Sequence, residues 1–124
     1  MPDPLKDIDI KKLAIDALED LKAQNILCLD VSDKTDITDY MIVASGTSSR
    51  HVKSLANNVV AEAKRRGLQP IGVEGMDQGD WVLIDLNAVI VHLMQPQVRD
   101  FYDIESLWSL SPNALNESVN QKDD

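Results

Sequence analysis

Two apolar runs, Trp81–Leu86 and Val89–Met94, stand in this chain with only Asn87 and Ala88 between them. Parallel strands need a crossover of a dozen or more residues, so a link this short makes the pair an antiparallel hairpin. With Asn87-Ala88 as the loop, Leu86 faces Val89, Ile84 faces Val91 and Val82 faces Leu93, all on one side. The other side carries Trp81 beside Met94, Leu83 beside His92 and Asp85 beside Ile90. One face is wholly aliphatic; the other mixes indole, thioether, imidazole and carboxylate groups. A register slip of one residue would exchange the two faces.

The rest of the chain supplies partners for such a sheet. Ile10, Leu13, Ala14, Ala17, Leu18 and Leu21 recur at three- and four-residue spacing, which predicts a helix from roughly Asp9 to Gln24. Ile26–Val31 and Tyr40–Ala44 read as strands around a polar loop. Ser45-Gly46-Thr47-Ser48 is a turn with N-cap hydroxyls, followed by a helix with Val52, Leu55, Ala56, Val59 and Ala63 on its buried stripe. Lys64-Arg65-Arg66-Gly67 ends that helix, with cations at its negative end and a glycine for the left-handed cap.

Strand, helix and then a strand at Pro70–Glu74 suggest a crossover, so part of the sheet should be parallel. Pro96 opens a third helix, expected to run to about Ser111-Pro112 with Phe101, Ile104, Leu107 and Trp108 sharing one face. The expectation is a single α/β (α+β) domain with a mixed sheet of about five strands and about three helices. It divides the chain into an N-terminal extension over 1–9, a domain over 10–110 and a polar, disordered tail over 111–124.

Composition narrows what such a domain does. A net charge of −9 opposes a phosphate-neutralising grip on nucleic acid, so no direct sequence-specific nucleic-acid binding is expected. A basic protein partner suits it better. No apolar run approaches the roughly 20 residues that cross a bilayer, which argues against a membrane role. The acidic start Met1-Pro-Asp-Pro-Leu-Lys-Asp-Ile-Asp-Ile10 does not read as a secretory signal, and a single cysteine, Cys28, forms no internal disulfide. These two points favour the cytoplasm.

Three helices can cover one sheet face well, and the aliphatic face is the natural choice. The mixed face is then the candidate contact surface, with Trp81, Leu83, His92 and Met94 as partner-binding residues. The competing reading lays the first or third helix over this face and makes Trp81 a core residue; the pattern leaves both open. His92 is likewise either a polar contact or a structural histidine.

Other chemistry is thinly supported. Gly46, Thr47 and Ser48 have the ingredients of an anion-binding turn, though a plain turn and cap explains them more simply. Metal-dependent nucleotidyl transfer needs paired carboxylates beside such a turn. Asp7-Ile8-Asp9 falls before the first helix, where a cap is the better explanation, and Asp85 stands alone. Cys28, His51 and His92 lack zinc-site spacing. Cys28 is read as a buried small residue and His51 as a surface residue. No catalytic residue, metal or cofactor is expected.

The run Asp39-Tyr40-Met-Ile-Val-Ala-Ser45-Gly46-Thr47-Ser48-Ser-Arg50-His51-Val52 closely resembles the ribosomal silencing factor family, RsfS, also called the Iojap family. Glu74-Gly75, Gly79-Asp80-Trp81-Val82-Leu83, Val89-Ile90-Val91-His92 and Arg99-Asp100-Phe101-Tyr102-Asp103-Ile104-Glu105-Ser106-Leu107-Trp108 continue the pattern in order. The resemblance spans about Ile10 to Trp108. It implies a domain similar to nucleotidyltransferases without their catalytic carboxylates. It also implies a non-enzymatic translational repressor that docks on ribosomal protein uL-fourteen of the large ribosomal subunit. Such a repressor blocks joining of the small subunit when nutrients are limiting or in stationary phase.

The family's contact positions fall on Trp81 and Leu83, while His92 and Met94 come from the hairpin geometry. Tyr102 and Glu105 match motif positions where packing and contact are not separated. Two other readings stand beside this one: a nucleotidyltransferase-like nucleotide-binding protein, and a homodimer formed through the mixed face.

Overall fold

The computed structural model describes residues 9–109. The expected tail over 111–124, and the extension apart from Asp9, lie outside those residues. Helix α1 (Ile10–Asp20) opens where the Asp9 carboxylate accepts the Lys12 N–H at 3.0 Å. That bond occupies one of the amides that have no partner inside a helix's first turn. The helix stops short of the expected Gln24 because Lys22 takes a left-handed φ of 61°. Ala23 N–H then reaches the Leu18 carbonyl and Lys22 N–H the Glu19 carbonyl, closing the end as a Schellman motif without glycine.

Strand β1 (Gln24–Asp30) pairs antiparallel with β2 (Tyr40–Ser45), with an irregularity between Gln24 and Leu27 where Asn25 has φ 52°. Helix α2 (Ser49–Arg65) closes through the same motif at its expected place. Gly67 (φ 85°) donates to Lys64 and Leu68 to Ala63. Strands β3 (Gly72–Glu74), β4 (Trp81–Asp85) and β5 (Val89–Met94) complete a sheet of order β1-β2-β5-β4-β3.

The sheet is mixed: β2 and β5 are parallel neighbours and the other pairs are antiparallel. The strands flanking α2 do run in the same direction, but β5 and β4 lie between them. The hairpin register is the expected one, with Trp81 opposite Met94, Val82 opposite Leu93, Leu83 opposite His92, Ile84 opposite Val91 and Asp85 opposite Ile90. Asn87 (φ 74°) makes the turn, its N–H held by the Asp85 carboxylate at 2.8 Å.

The aliphatic face is fully buried under α1 and α2. Val82, Ile84, Leu86, Val89, Val91 and Leu93 meet Leu13, Ala14, Ala17 and Leu18 of one helix and Val52, Leu55, Ala56, Val59 and Ala63 of the other. The opposite face holds a smaller cluster of Val31, Met41, Val43 and Met94, with Leu29, Trp81, Val98, Ile104 and Trp108 against it.

The expected third helix is two helices, giving four in the described residues: α3 (Pro96–Tyr102) and α4 (Ile104–Ser109). Asp103 between them has a left-handed φ of 47°, which breaks the helical hydrogen-bond ladder. The expected common face is thereby divided. Ile104 and Trp108 pack inward, while Phe101 and Leu107 are exposed. Among the described residues no helix is long and apolar enough to cross a membrane.

Candidate functional site

The mixed face of the hairpin is neither open nor closed. Val98 of α3 and Ile104 and Trp108 of α4 pack against the cluster that holds Met94, which is fully buried, and His92 is only 7% exposed. This corrects the expectation that all four hairpin residues form an outward contact surface. Trp81 and Leu83, at the margin of the covered zone, are half-buried and keep part of their side chains at the surface.

Around Trp81 the structure assembles a group of rings. The indole N–H donates to Nδ1 of His92 at 3.0 Å, with ring centroids 5.8 Å apart. Tyr102 packs against the same indole at 4.9 Å, and Phe101 meets Tyr102 edge-on at 4.9 Å. Centroid separations of this size at tilted angles are favourable aromatic geometry. Phe101 is 80% exposed and Tyr102 55% exposed, so together with Trp81 and Leu83 they form an aromatic surface patch.

The expectation places Phe101 on one helix face with Ile104, Leu107 and Trp108. Helix α3, however, contributes no fully buried residue. The signal that could have found it is the Phe-Tyr-Asp triplet, in which an Asp directly after two aromatics is suited to a left-handed break.

Burial depresses the His92 pKa to about 4, so the imidazole is neutral near pH 7. Nδ1 accepts from Trp81, which places the ring proton on Nε2. Beside Trp81, Gly75, Asp77, Gln78 and Asp80 line a shallow acidic cleft. Gly75 has φ 92°, and a Cβ there would collide with the Trp81 carbonyl oxygen. The loop therefore needs glycine to close against the start of β4.

A second feature, which the residue pattern did not disclose, anchors the patch. Arg99 of α3 donates through Nε to Glu105 at 2.9 Å, and through Nη1 to the Asn25 carbonyl at 2.7 Å and the Ser45 hydroxyl at 3.0 Å. Its side chain is 11% exposed and that of Glu105 20%. One guanidinium thus ties α3 and α4 to β1 and β2. The only sequence signal was an Arg and a Glu six residues apart in an otherwise amphipathic segment.

The Gly46 turn is a structural cap. Gly46 N–H donates to the Met94 carbonyl, Thr47 N–H to His51 Nδ1 at 2.9 Å, and the Ser48 hydroxyl accepts His51 N–H at 3.1 Å. His51 was expected simply at the surface. It is half-buried, and its Nε2 lies 2.8 Å from the Leu21 carbonyl, joining the start of α2 to the end of α1. The donors that an anion would need at Gly46 and Thr47 are already engaged.

Cys28 is half-buried, and burial pushes its thiol pKa up, away from the reactive thiolate. Among the described residues no three His, Cys, Asp or Glu side chains gather as a metal site would require.

Fold and surface together define a small mixed-sheet α/β domain that displays an aromatic patch at one margin of its sheet. The family described as "Ribosomal silencing factor during starvation" matches residues 4–124, and the chain belongs to it. Ribosomal silencing factor RsfS of Chromobacterium violaceum is 52% identical over 100 residues, covering 81% of this chain and 82% of that one. A crystal structure of a Chromobacterium violaceum protein superposes with a TM-score of 0.81 at 50% identity, covering 84% of this chain and 88% of that one. The mouse protein named Mitochondrial assembly of ribosomal large subunit protein 1 is 33% identical over 107 residues, covering 84% of this chain and 46% of its own length.

Proposed function

We propose that this protein is a translational repressor that acts in the cytoplasm by docking its aromatic patch on the large ribosomal subunit, through ribosomal protein uL-fourteen. The bound domain then occupies space that the small subunit needs, so repression under nutrient limitation is steric and calls for no catalysis. The observation that carries this reading is the group of exposed Phe101 and Tyr102 and half-buried Trp81 and Leu83, on a chain of the silencing factor family. Aromatic residues at a patch centre are the side chains that dominate interface energetics. His92 and Met94 support the patch from beneath rather than touching the partner. An acidic surface suits encounter with basic ribosomal proteins.

Co-sedimentation with isolated large subunits tests this. Trp81→Ala and Tyr102→Ala, each confirmed folded by circular dichroism, should bind at least about tenfold more weakly, as expected of hot-spot truncations. A folded wild-type chain that never sediments with large subunits would sink the proposal. The same exposed rings favour a second reading, self-association into a homodimer. Light scattering over a dilution series decides it, since a monomer at every concentration removes it. The nucleotide-binding reading meets engaged donors at Gly46 and Thr47, and titration with millimolar nucleotide and magnesium should show no heat of binding.

A further inference from the structure

We infer that His92 is a positioning residue for docking, holding the Trp81 indole in the orientation that the patch presents to its partner; this rests on the docking reading above. Trp81 opens β4 and is only partly buried, packed against the cluster that holds Met94. A half-exposed indole has several staggered rotamers open to it. Two neighbours restrict it here. Tyr102 packs against the ring without fixing its direction, whereas the 3.0 Å hydrogen bond from Nε1–H to Nδ1 of His92 is directional.

The anchor itself is rigid. His92 lies in β5, paired with Leu83 of β4 on one side and Val43 of β2 on the other, and is 7% exposed. Among the described residues its one side-chain hydrogen bond is to Trp81, so the imidazole has neither a nucleophile nor a carboxylate to act on. Burial also keeps the ring unprotonated at neutral pH, which preserves the Nδ1 lone pair that accepts the indole proton.

Two consequences for recognition follow. The indole N–H is satisfied inside the chain, so a partner can cover it without supplying an acceptor. An unmet donor would otherwise be buried at the interface centre. The ring is also ordered before contact, so association does not have to immobilise it.

The test uses the full chain with His92→Leu, which removes the acceptor, and His92→Asn, whose amide oxygen stands near the position of Nδ1. Two readouts are taken: the Trp81 indole N–H resonance and its solvent exchange, identified by its absence in Trp81→Phe, and affinity for isolated large subunits. The expected result is loss of the protected indole proton and roughly three- to tenfold weaker binding in His92→Leu, with both restored by His92→Asn. A folded His92→Leu that binds like wild type overturns the inference. Should that variant not fold, His92→Gln replaces it, because its longer side chain carries the acceptor past the indole. Equal binding by the Asn and Gln variants then overturns the inference. A wild-type chain that does not bind large subunits removes the docking reading and this inference together, whereas normal wild-type binding with normal His92→Leu binding removes this inference alone.

Discussion

At Gly46 the backbone passes so close to the start of α2 that a Cβ would stand 2.8 Å from a Val52 methyl and 2.9 Å from the Val52 backbone nitrogen. The methyl could yield, but the backbone nitrogen is held by its bond to the Ser48 carbonyl. Gly46→Ala is therefore expected to lose about 2 kcal/mol, the usual scale of forced overpacking, read as a lower urea midpoint with an unchanged slope. His92 gives a second residue-scale prediction. Its pKa falls from 6.5 to about 4 on folding, so between those values the unfolded chain binds the proton and the native chain does not. The stability that the neutral ring contributes is complete above about pH 6.5 and is lost progressively as pH falls from there to about 4, amounting in all to about 3 kcal/mol. Urea unfolding at pH 7 and pH 4.5 should show a larger loss for wild type than for His92→Asn, and equal losses would refute this account. The lowered pKa was not legible in the sequence. His92 stood at even balance between contact and structure there, because period-two alternation assigns a face but not its cover.

Among the elements, α3 and α4 decide the character of the site. They are short, seven and six residues, too short to be stable as isolated helices, and must be held by tertiary contacts. Arg99 supplies those contacts at both ends of the break, bonding to Glu105 in α4, Asn25 in β1 and Ser45 in β2. Removing it strands a largely buried Glu105 carboxylate, so Arg99→Ala should cost about 3 kcal/mol. The loss should be local: hydrogen exchange of the α4 amides should quicken far more than that of α2, and uniform quickening would contradict the assignment. The elements also differ in how plainly they announce themselves. The end of α2 is written as Lys-Arg-Arg-Gly, whereas α1 ends at Lys22 in the same left-handed geometry with no glycine to mark it. The break at Asp103 is hidden for the same reason, since Asp tolerates the left-handed region without advertising it.

For the whole molecule, a charge of −9 spread over a 13.8 kDa chain makes long-range attraction to a basic partner the feature most sensitive to solution conditions. Raising salt from about 50 to 500 mM should slow association with large subunits by about tenfold and change dissociation far less, because screening acts on encounter and not on the packed rings. Surface plasmon resonance separates the two rates, and an effect confined to dissociation would argue against steering. The buried stripes of α1 and α2 and the caps at Asp9, Ser48 and Gly67 are legible in the sequence, since each follows from periodicity or from a terminus that needs a partner within a few residues, while the hairpin register and its aliphatic face follow from it only once the loop is taken as Asn87-Ala88. The strand order, the burial of Met94 and His92, and the packing of Tyr102 on Trp81 with Phe101 against Tyr102 are settled in three dimensions. Those depend on contacts between segments far apart in the chain, and a local pattern states which residues share a face without stating what comes to lie on it.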